Sequence, residues 1–133
     1  MSPSGGTSLP SFKIDLTFYK FTNDLATAKK RHPSLLEDLR VLLSSIEKDY
    51  RVGDQIPGVG AHVRKIRLGC KKASVGKSKG YRLIYSVQVD IGLITPLCLH
   101  YKPDIEMIPA HQIWKLWKEA LGRHASTDTL STM

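Results

Sequence analysis

The chain has 133 residues, of which 41% are hydrophobic, and 20 Lys+Arg against 12 Asp+Glu give it a net charge of +8. This length and composition predict one domain with a modest core. No apolar run approaches the roughly 18 residues that cross a bilayer, and residues 1–11 lack the apolar segment of a signal peptide. We therefore expect a cytoplasmic protein that does not contact a membrane and that binds an acidic partner.

The two cysteines, Cys70 and Cys98, do not form a CxxC pair. In a reducing cytoplasm such cysteines seldom form disulfides. A zinc site that joins them to His62 and His100 would need ligand spacings that the chain lacks. We therefore expect no metal site and no other cofactor.

The first half of the chain predicts a strand and two helices. Residues 1–11 are rich in Ser, Gly and Pro, which predicts a disordered N-terminal tail. Residues 12–16 alternate apolar and polar side chains, as a strand does. A helix of about three turns follows, because apolar side chains recur at helical spacing at Phe18, Phe21, Leu25 and Ala28.

A second helix begins at Pro33, which breaks the first helix and suits the first turn of the next. Its apolar stripe consists of Leu35, Leu36, Leu39, Leu42, Leu43, Ile46 and Tyr50. We expect this helix to end by Gly53 and its stripe to pack in the core.

The second half of the chain predicts strands and then one helix. A glycine-rich connection precedes predicted strands at residues 63–68, 81–88 and 94–102. Pro96 confines the last of these strands to an edge, a bulge or its own start. A final helix begins at Pro109 and ends at Gly122, and residues 123–133 are a predicted disordered tail.

The element order β-α-α-β-β-β-α predicts one α+β domain over residues 12–122. In this arrangement an antiparallel sheet has a helix hairpin on one face, and a C-terminal helix completes the domain.

Positive charge is concentrated in one predicted hairpin. Eight cations and no carboxylate lie between Gln55 and Val89, which equals the net charge of the whole chain. These cations are Arg64, Lys65, Arg67, Lys71, Lys72, Lys77, Lys79 and Arg82. Strand alternation places Lys65, Arg67 and Arg82 on the face opposite the apolar side chains. Such a face either is exposed to solvent with no binding role or binds an anion. The added charge of the loop favours nucleic acid as that anion.

The loop between the two strands contains Gly76-Lys77-Ser78, which is similar to the end of a phosphate-binding P-loop. The P-loop pattern needs a glycine where this chain has Lys71, and it needs a helix where this chain has a predicted strand. We therefore expect a flexible basic loop and no nucleotide cofactor.

The side chains of this region suit metal-free cleavage of RNA by its own 2′-hydroxyl. That reaction needs a base, cations around the phosphate and an acid for the leaving 5′-oxygen. Lys65 is a candidate base, because like charges around a lysine lower its pKa. His100 is a candidate acid that titrates near neutral pH, although a surface or core histidine is an equally open interpretation.

At residues 63–102 the chain resembles the RelE/ParE superfamily of toxin–antitoxin toxins, on its RelE/HigB/YoeB-like branch. The specific part is VRKIRL, the basic spacer, GYRLIYSV and LHYK, and the resemblance extends to residues 12–121 in pattern. It implies a RelE-like fold, cleavage of mRNA on the ribosome and inhibition by a cognate antitoxin, whose binding segment we expect to be acidic.

The resemblance also implies roles for individual residues. Catalytic residues would be Lys65, Arg67, Arg82 and His100. RNA-binding residues would be Arg64, Lys71, Lys72, Lys77, Lys79, Tyr101 and Lys102. Pro103-Asp104 replaces a second arginine of the RelE branch, and the glutamate base of the YoeB branch has no counterpart between Gln55 and Val89. Two alternatives stay open: a ParE-like toxin that inhibits gyrase by binding it, and a non-catalytic member that binds RNA or an antitoxin.

Overall fold

The computed structural model describes residues 12–105 and 107–132, with residues 61, 78 and 123–132 described by their backbone alone. Its strands are β1 Lys13–Ile14, β2 Asp54–Ile56, β3 Gly60–Leu68, β4 Tyr81–Gln88 and β5 Leu93–Tyr101. Its helices are α1 Tyr19–Arg31, α2 Leu35–Lys48 and α3 Ala110–Thr132. None of these helices is both long enough and apolar enough to span a membrane.

The sheet has the strand order β1-β5-β4-β3-β2, and the predicted α+β class is confirmed. Two details differ from the sequence prediction. β1 pairs with β5 in parallel, so the sheet is mixed rather than wholly antiparallel. β2 lies within the glycine-rich segment that was predicted to be a connection, and it was missed because three residues are too short to show an alternating pattern. Gly58, in the turn that folds β2 back on β3, and Gly60, the first residue of β3, both have positive φ.

The helix hairpin packs on one face of the sheet. Phe21, Leu35 and Ile46 of α1 and α2 are completely buried against Leu83 and Tyr85 of β4. Burying a large apolar side chain stabilises a fold by about 1.5–3 kcal/mol. This contact also defines the two faces of the sheet: the predicted apolar side of β4 faces the hairpin, and the predicted cationic side faces the opposite direction.

Helix α3 covers part of the opposite face, which we call the α3 face. Ile113 and Ala120 pack with Val63, Ile84 and Cys98 in a second buried cluster. The sequence predicted that this helix ends at Gly122, whereas the helical backbone continues to Thr132. Of the atoms that the structure describes, none lies within 4 Å of a Cβ built at Gly122, and an exposed glycine costs a helix only about 1 kcal/mol. The domain limits stay predictions, and residues 1–11 lie outside the described residues.

A bulge lets β5 contain a proline. Ile84 pairs with Cys98 and Tyr85 pairs with Pro96, so Leu97 is an extra residue in β5. This confirms a bulge as one of the predicted places for Pro96. After the bulge, regular pairing continues to the end of the strand and sets the register of His100.

Candidate functional site

Three neighbouring strands align Arg67, Arg82 and His100 side by side, and we call this set the Arg-Arg-His row. Arg67 of β3 lies directly opposite Arg82 of β4, and Arg82 lies directly opposite His100 of β5. Residues directly opposite each other in an antiparallel pair project to the same face with Cβ atoms about 5 Å apart. The register therefore confirms that the arginines lie on the face opposite Leu83, and it brings His100 to the same face.

Arg82 occupies the centre of the row. Its Nη1 donates hydrogen bonds to the carbonyl oxygens of Lys77 at 3.0 Å and Tyr81 at 3.2 Å. Burial lowers the pKa of Arg82, and the positive charge of Arg67 lowers it further. An arginine stays protonated under these conditions, so two adjacent guanidinium groups favour an anion between them.

His100 is buried, with 7% of its surface exposed. Neither ring nitrogen has a hydrogen-bond partner among the described residues. Burial lowers the pKa of His100 to about 4, and the charge of Arg82 acts in the same direction. The expectation of a histidine that titrates near neutral pH is therefore wrong for the free protein, since a sequence motif does not report desolvation.

Lys65 is exposed on the same face and borders a cleft of about 940 Å³. Arg67 and Arg82 also line this cleft, which follows β3 where β2 no longer pairs with it. Asp54 of β2 lies directly opposite Lys65 and lines the cleft as well. Sequence reasoning missed this carboxylate because it precedes the acid-free interval, and only the β2–β3 turn brings it across from Lys65.

The basic loop, residues 69–80, has a regular backbone. It contains two 3₁₀ turns, Lys71–Ala73 and Lys77–Lys79. Cys70 and Val75 exchange backbone hydrogen bonds of 2.8 and 3.0 Å, and Cys70 is completely buried. The flexibility that the composition of the loop indicates stays a prediction. One of its glycines, Gly80, is closely packed: a Cβ there would lie 2.8 Å from the carbonyl oxygen of Gly76.

The lysines of the loop have unequal surroundings. Lys72 forms an exposed ion pair of 3.2 Å with Glu37 of α2. Lys71 and Lys77 line the cleft beside the Arg-Arg-His row. The backbone N–H of Lys71 also donates to the carboxylate of Asp38 at 3.2 Å. Of these lysines, Lys71 and Lys77 are therefore the better placed to contact an anion in the cleft.

Lys79 and Lys102 lie together at the far end of the hairpin. They line a recess of about 460 Å³ with Pro103 and Asp104. The backbone N–H of Lys102 donates to the carbonyl oxygen of Gly80 at 2.9 Å, which joins the end of β5 to the loop. These two lysines extend the positive surface beyond the cleft.

Arg64 lies on the opposite face of the sheet from the Arg-Arg-His row, although the resemblance implies an RNA-binding role for it. It lies opposite Tyr85, on the face that packs against the helix hairpin. Its Nη1 donates to the carbonyl oxygen of Gly53 at 2.7 Å, and its guanidinium lies 5.6 Å from the ring centre of Tyr50. Arg64 therefore supports the connection between α2 and β2.

Tyr101 also lies on the hairpin face, although the resemblance implies that it binds RNA. Its ring centre is 4.9 Å from that of Tyr81, and the guanidinium of Arg31 lies 4.7 Å from it. His32 contacts both tyrosines and places its Nδ1 2.9 Å from the hydroxyl of Tyr81. Because Tyr101 is surrounded in this way, it does not offer a free ring face to a base.

The backbone is similar to a solved structure of the E. coli toxin RelE, a mutant in the free state, at a TM-score of 0.52 and 18% sequence identity. The match covers 86% of this chain and 98% of that chain. The chain has a RelE-like fold. No family model matches it, and no curated protein matches it in sequence.

On this RelE-like fold two arginines, three lysines and two carboxylates line the cleft, and His100 lies directly opposite one of these arginines, Arg82. The arginines can hold a phosphate by paired hydrogen bonds, which a lysine cannot do. The described residues contain no group of three or more His, Cys, Asp or Glu side chains placed to hold a metal ion. The arrangement can thus bind an anionic backbone and stabilise negative charge that develops at phosphorus.

Proposed function

We propose that the protein is the toxin of a toxin–antitoxin pair and cleaves mRNA on the ribosome. The observation that carries this proposal is the Arg-Arg-His row on a RelE-like fold: Arg67 and Arg82 line an open cleft, and His100 lies directly opposite Arg82. A cleft with guanidinium groups on one wall suits an extended, single-stranded phosphate backbone better than a compact ligand.

In the proposed reaction the phosphate lies between Arg67 and Arg82. A base removes the proton of the adjacent 2′-hydroxyl, whose oxygen then forms a bond to phosphorus. The bond from phosphorus to the 5′-oxygen breaks, and that oxygen takes a proton from an acid. The products are a 2′,3′-cyclic phosphate and a free 5′-hydroxyl. Lys65 is the proposed base, and the two arginines stabilise the negative charge of the transition state.

His100 is the proposed acid, although its imidazole is neutral in the free protein. With a pKa of about 4, only about one molecule in a thousand carries the proton at pH 7. A phosphate bound to Arg82 would offset the positive charge that helps to lower this pKa. His100 therefore gains its proton together with RNA binding, and free enzyme and complex differ in their pH dependence.

The proposed partners follow from the same surface. An acidic segment of a cognate antitoxin fits the positive cleft and would compete there with mRNA. Lys71 and Lys77 line the cleft, and Lys79 and Lys102 extend the positive surface past its end. Such concentrated charge makes association fast and sensitive to salt.

The test is cleavage of mRNA on purified ribosomes by the wild-type protein and by Arg82→Ala and Arg82→Lys. We expect Arg82→Ala to slow cleavage by about 10²-fold or more, as loss of other charge-stabilising groups does. Arg82→Lys should restore little of the rate, because a point charge cannot make the paired contact.

Arg51→Ala is the matched control, since Arg51 is an exposed arginine whose side chain pairs with Asp49 outside the row. It should cleave at the wild-type rate. Equal cleavage by the wild-type protein and Arg82→Ala, with both folded by circular dichroism, would remove Arg82 from the proposed site.

A non-catalytic protein that binds RNA or an antitoxin is the second candidate function. It is favoured by one observation, the neutral and buried imidazole of His100, which is not ready to act as an acid. In that case the wild-type protein would bind ribosomes or RNA and would leave the mRNA intact. The same assay therefore separates the two functions.

A further inference from the structure

Among the described strands, β1 alone pairs with the outer edge of β5, and it pairs with just Leu93 and Ile94. Farther along, α1 lies against this edge. The carboxylate of Asp24 accepts a hydrogen bond from the backbone N–H of Leu99 at 2.9 Å. A backbone donor at the edge of a sheet requires a partner, and here a charged side chain provides it.

Asp24 is itself held in place from within α1. Lys20, one helical turn earlier, forms an ion pair with its other carboxylate oxygen. The Asp24 side chain is 16% exposed, so it lies largely within the protein. Because its hydrogen-bond partner, Leu99, immediately precedes His100, this contact fixes the backbone next to the proposed acid.

His100 therefore has a positive charge on one side and a negative charge on the other. Arg82 flanks it from β4, and Asp24 flanks it from α1 at the outer edge of β5. We propose that Asp24 is a positioning residue for His100, which anchors β5 from outside and supplies the negative charge that favours the imidazolium. As a role in cleavage, this inference rests on the proposed function.

The electrostatics agree with this geometry. Burial and Arg82 lower the pKa of His100, Asp24 raises it, and Lys20 lowers it. When RNA phosphate offsets the charge of Arg82, Asp24 supplies the remaining nearby charge that favours the protonated ring. In the reaction the His100 ring then gives its proton to the leaving 5′-oxygen and becomes neutral. It afterwards takes up a new proton from water.

The test measures the pKa of His100 in the free protein by NMR titration of its ring proton, so it does not depend on cleavage. Asp24→Asn keeps an oxygen that can accept from Leu99 but removes the charge. We expect it to lower the pKa of His100 by about half a unit. Lys20→Met removes a cation and should raise this pKa, which keeps the proposal testable where Asp24→Asn does not fold.

Asp38→Asn is the matched control, because Asp38 likewise accepts a backbone N–H, that of Lys71, but belongs to α2. It should leave the pKa of His100 unchanged. An unchanged pKa of His100 in folded Asp24→Asn or folded Lys20→Met would overturn the proposal. A change of the same size in Asp38→Asn would also overturn it, because it would show a general effect of net charge.

A second measurement separates this inference from the proposed function. In a protein that cleaves mRNA, Asp24→Asn should move the basic limb of the pH–rate profile to lower pH, with RNA affinity retained. A merely structural role for Asp24 would lower the rate equally at every pH, which would contradict the inference. Absence of cleavage in the wild-type protein would reject the proposed function, whereas the NMR result would still decide the charge coupling.

Discussion

Two pairs of facing residues occupy adjacent positions on β4 and β5. Arg82 and His100 lie opposite each other on β4 and β5, and so do their neighbours Tyr81 and Tyr101. The first pair belongs to the α3 face beside the cleft, whereas the second packs against Arg31 and the rest of the C-terminal end of α1. One residue of register thus separates side chains proposed for chemistry from side chains used for packing.

The comparison shows that an aromatic residue can be adjacent in sequence to a residue of the proposed site and still face away from it. Tyr81 is 2% exposed, and burial raises the pKa of its hydroxyl, which contacts His32. An aromatic platform for bases needs a free ring face. Tyr101 lacks a free ring face, because the rings of His32 and Tyr81 and the guanidinium of Arg31 pack around it.

Substitution of one residue from each pair gives the largest expected difference. We expect His100→Ala to slow cleavage by about 10²–10⁴-fold, as loss of a general acid does, and to leave RNA binding intact. Tyr101→Ala should cleave at the wild-type rate and lose about 1–2 kcal/mol of unfolding free energy. Cleavage on ribosomes and urea unfolding measure the two effects. The reverse result, with slow cleavage only in Tyr101→Ala, would contradict the assignment of the two faces.

The dependence of stability on pH tests the burial of His100. Its folded pKa of about 4 lies below the unfolded value of 6.5, so the unfolded state binds the proton first as the pH falls. The contribution of His100 to the free energy of unfolding is therefore fully present above pH 6.5 and is lost as the pH falls from 6.5 to 4.

This loss has an upper bound of about 3 kcal/mol, and we expect about 2 kcal/mol after screening by solvent. Urea unfolding from pH 7.5 to 4 measures it. In His100→Gln the titration of this residue is removed, so the free energy of unfolding should fall less steeply as the pH is lowered. An unchanged slope in this variant would indicate that other groups cause the acid sensitivity.

The basic loop supports the row through Arg82, whose guanidinium contacts the carbonyl of Lys77. A Cβ at Gly80 would overlap the backbone carbonyls of Leu68 and Gly76, neither of which can easily move. We expect Gly80→Ala to destabilise the protein by about 2 kcal/mol. Gly76→Ala is the control, since no atom of the described residues lies within 4 Å of a Cβ there. Equal stability of the two variants in urea would show that the loop is not closely packed.

The smallest expected effect concerns the salt dependence of RNA binding. Lys71 and Lys77 line the cleft, whereas Lys72 pairs with Glu37 and Lys79 lies beyond the cleft. Replacement of Lys71 and Lys77 by alanine should reduce the slope of log affinity against log salt by about 1.4, or 0.7 for each phosphate contact. Replacement of Lys72 and Lys79 should reduce it less. Equal slopes for both double variants would mean that the cleft does not define the RNA path.

The sequence by itself determined the fold class, the two-helix hairpin and the faces of the central strands. It also located the concentration of charge in one hairpin. These features follow from local periods, 3.6 residues in helices and two in strands, which are written directly in the order of apolar side chains. The alternation of Lys65, Ile66 and Arg67 therefore predicted which of these side chains share a face with Leu83 and which share a face with Arg82, as the pairing of β3 with β4 shows.

Only the tertiary structure decided the surroundings of individual side chains. It buried His100, placed Asp54 across from Lys65, and used Arg64 and Tyr101 for packing. It also packed two glycines of the basic loop, Gly69 and Gly80, closely against backbone atoms. Burial, hydrogen-bond partners and pKa values depend on elements distant in sequence, such as the contact of α1 with Leu99. No local pattern reports those neighbours, because desolvation and charge act through space rather than along the chain.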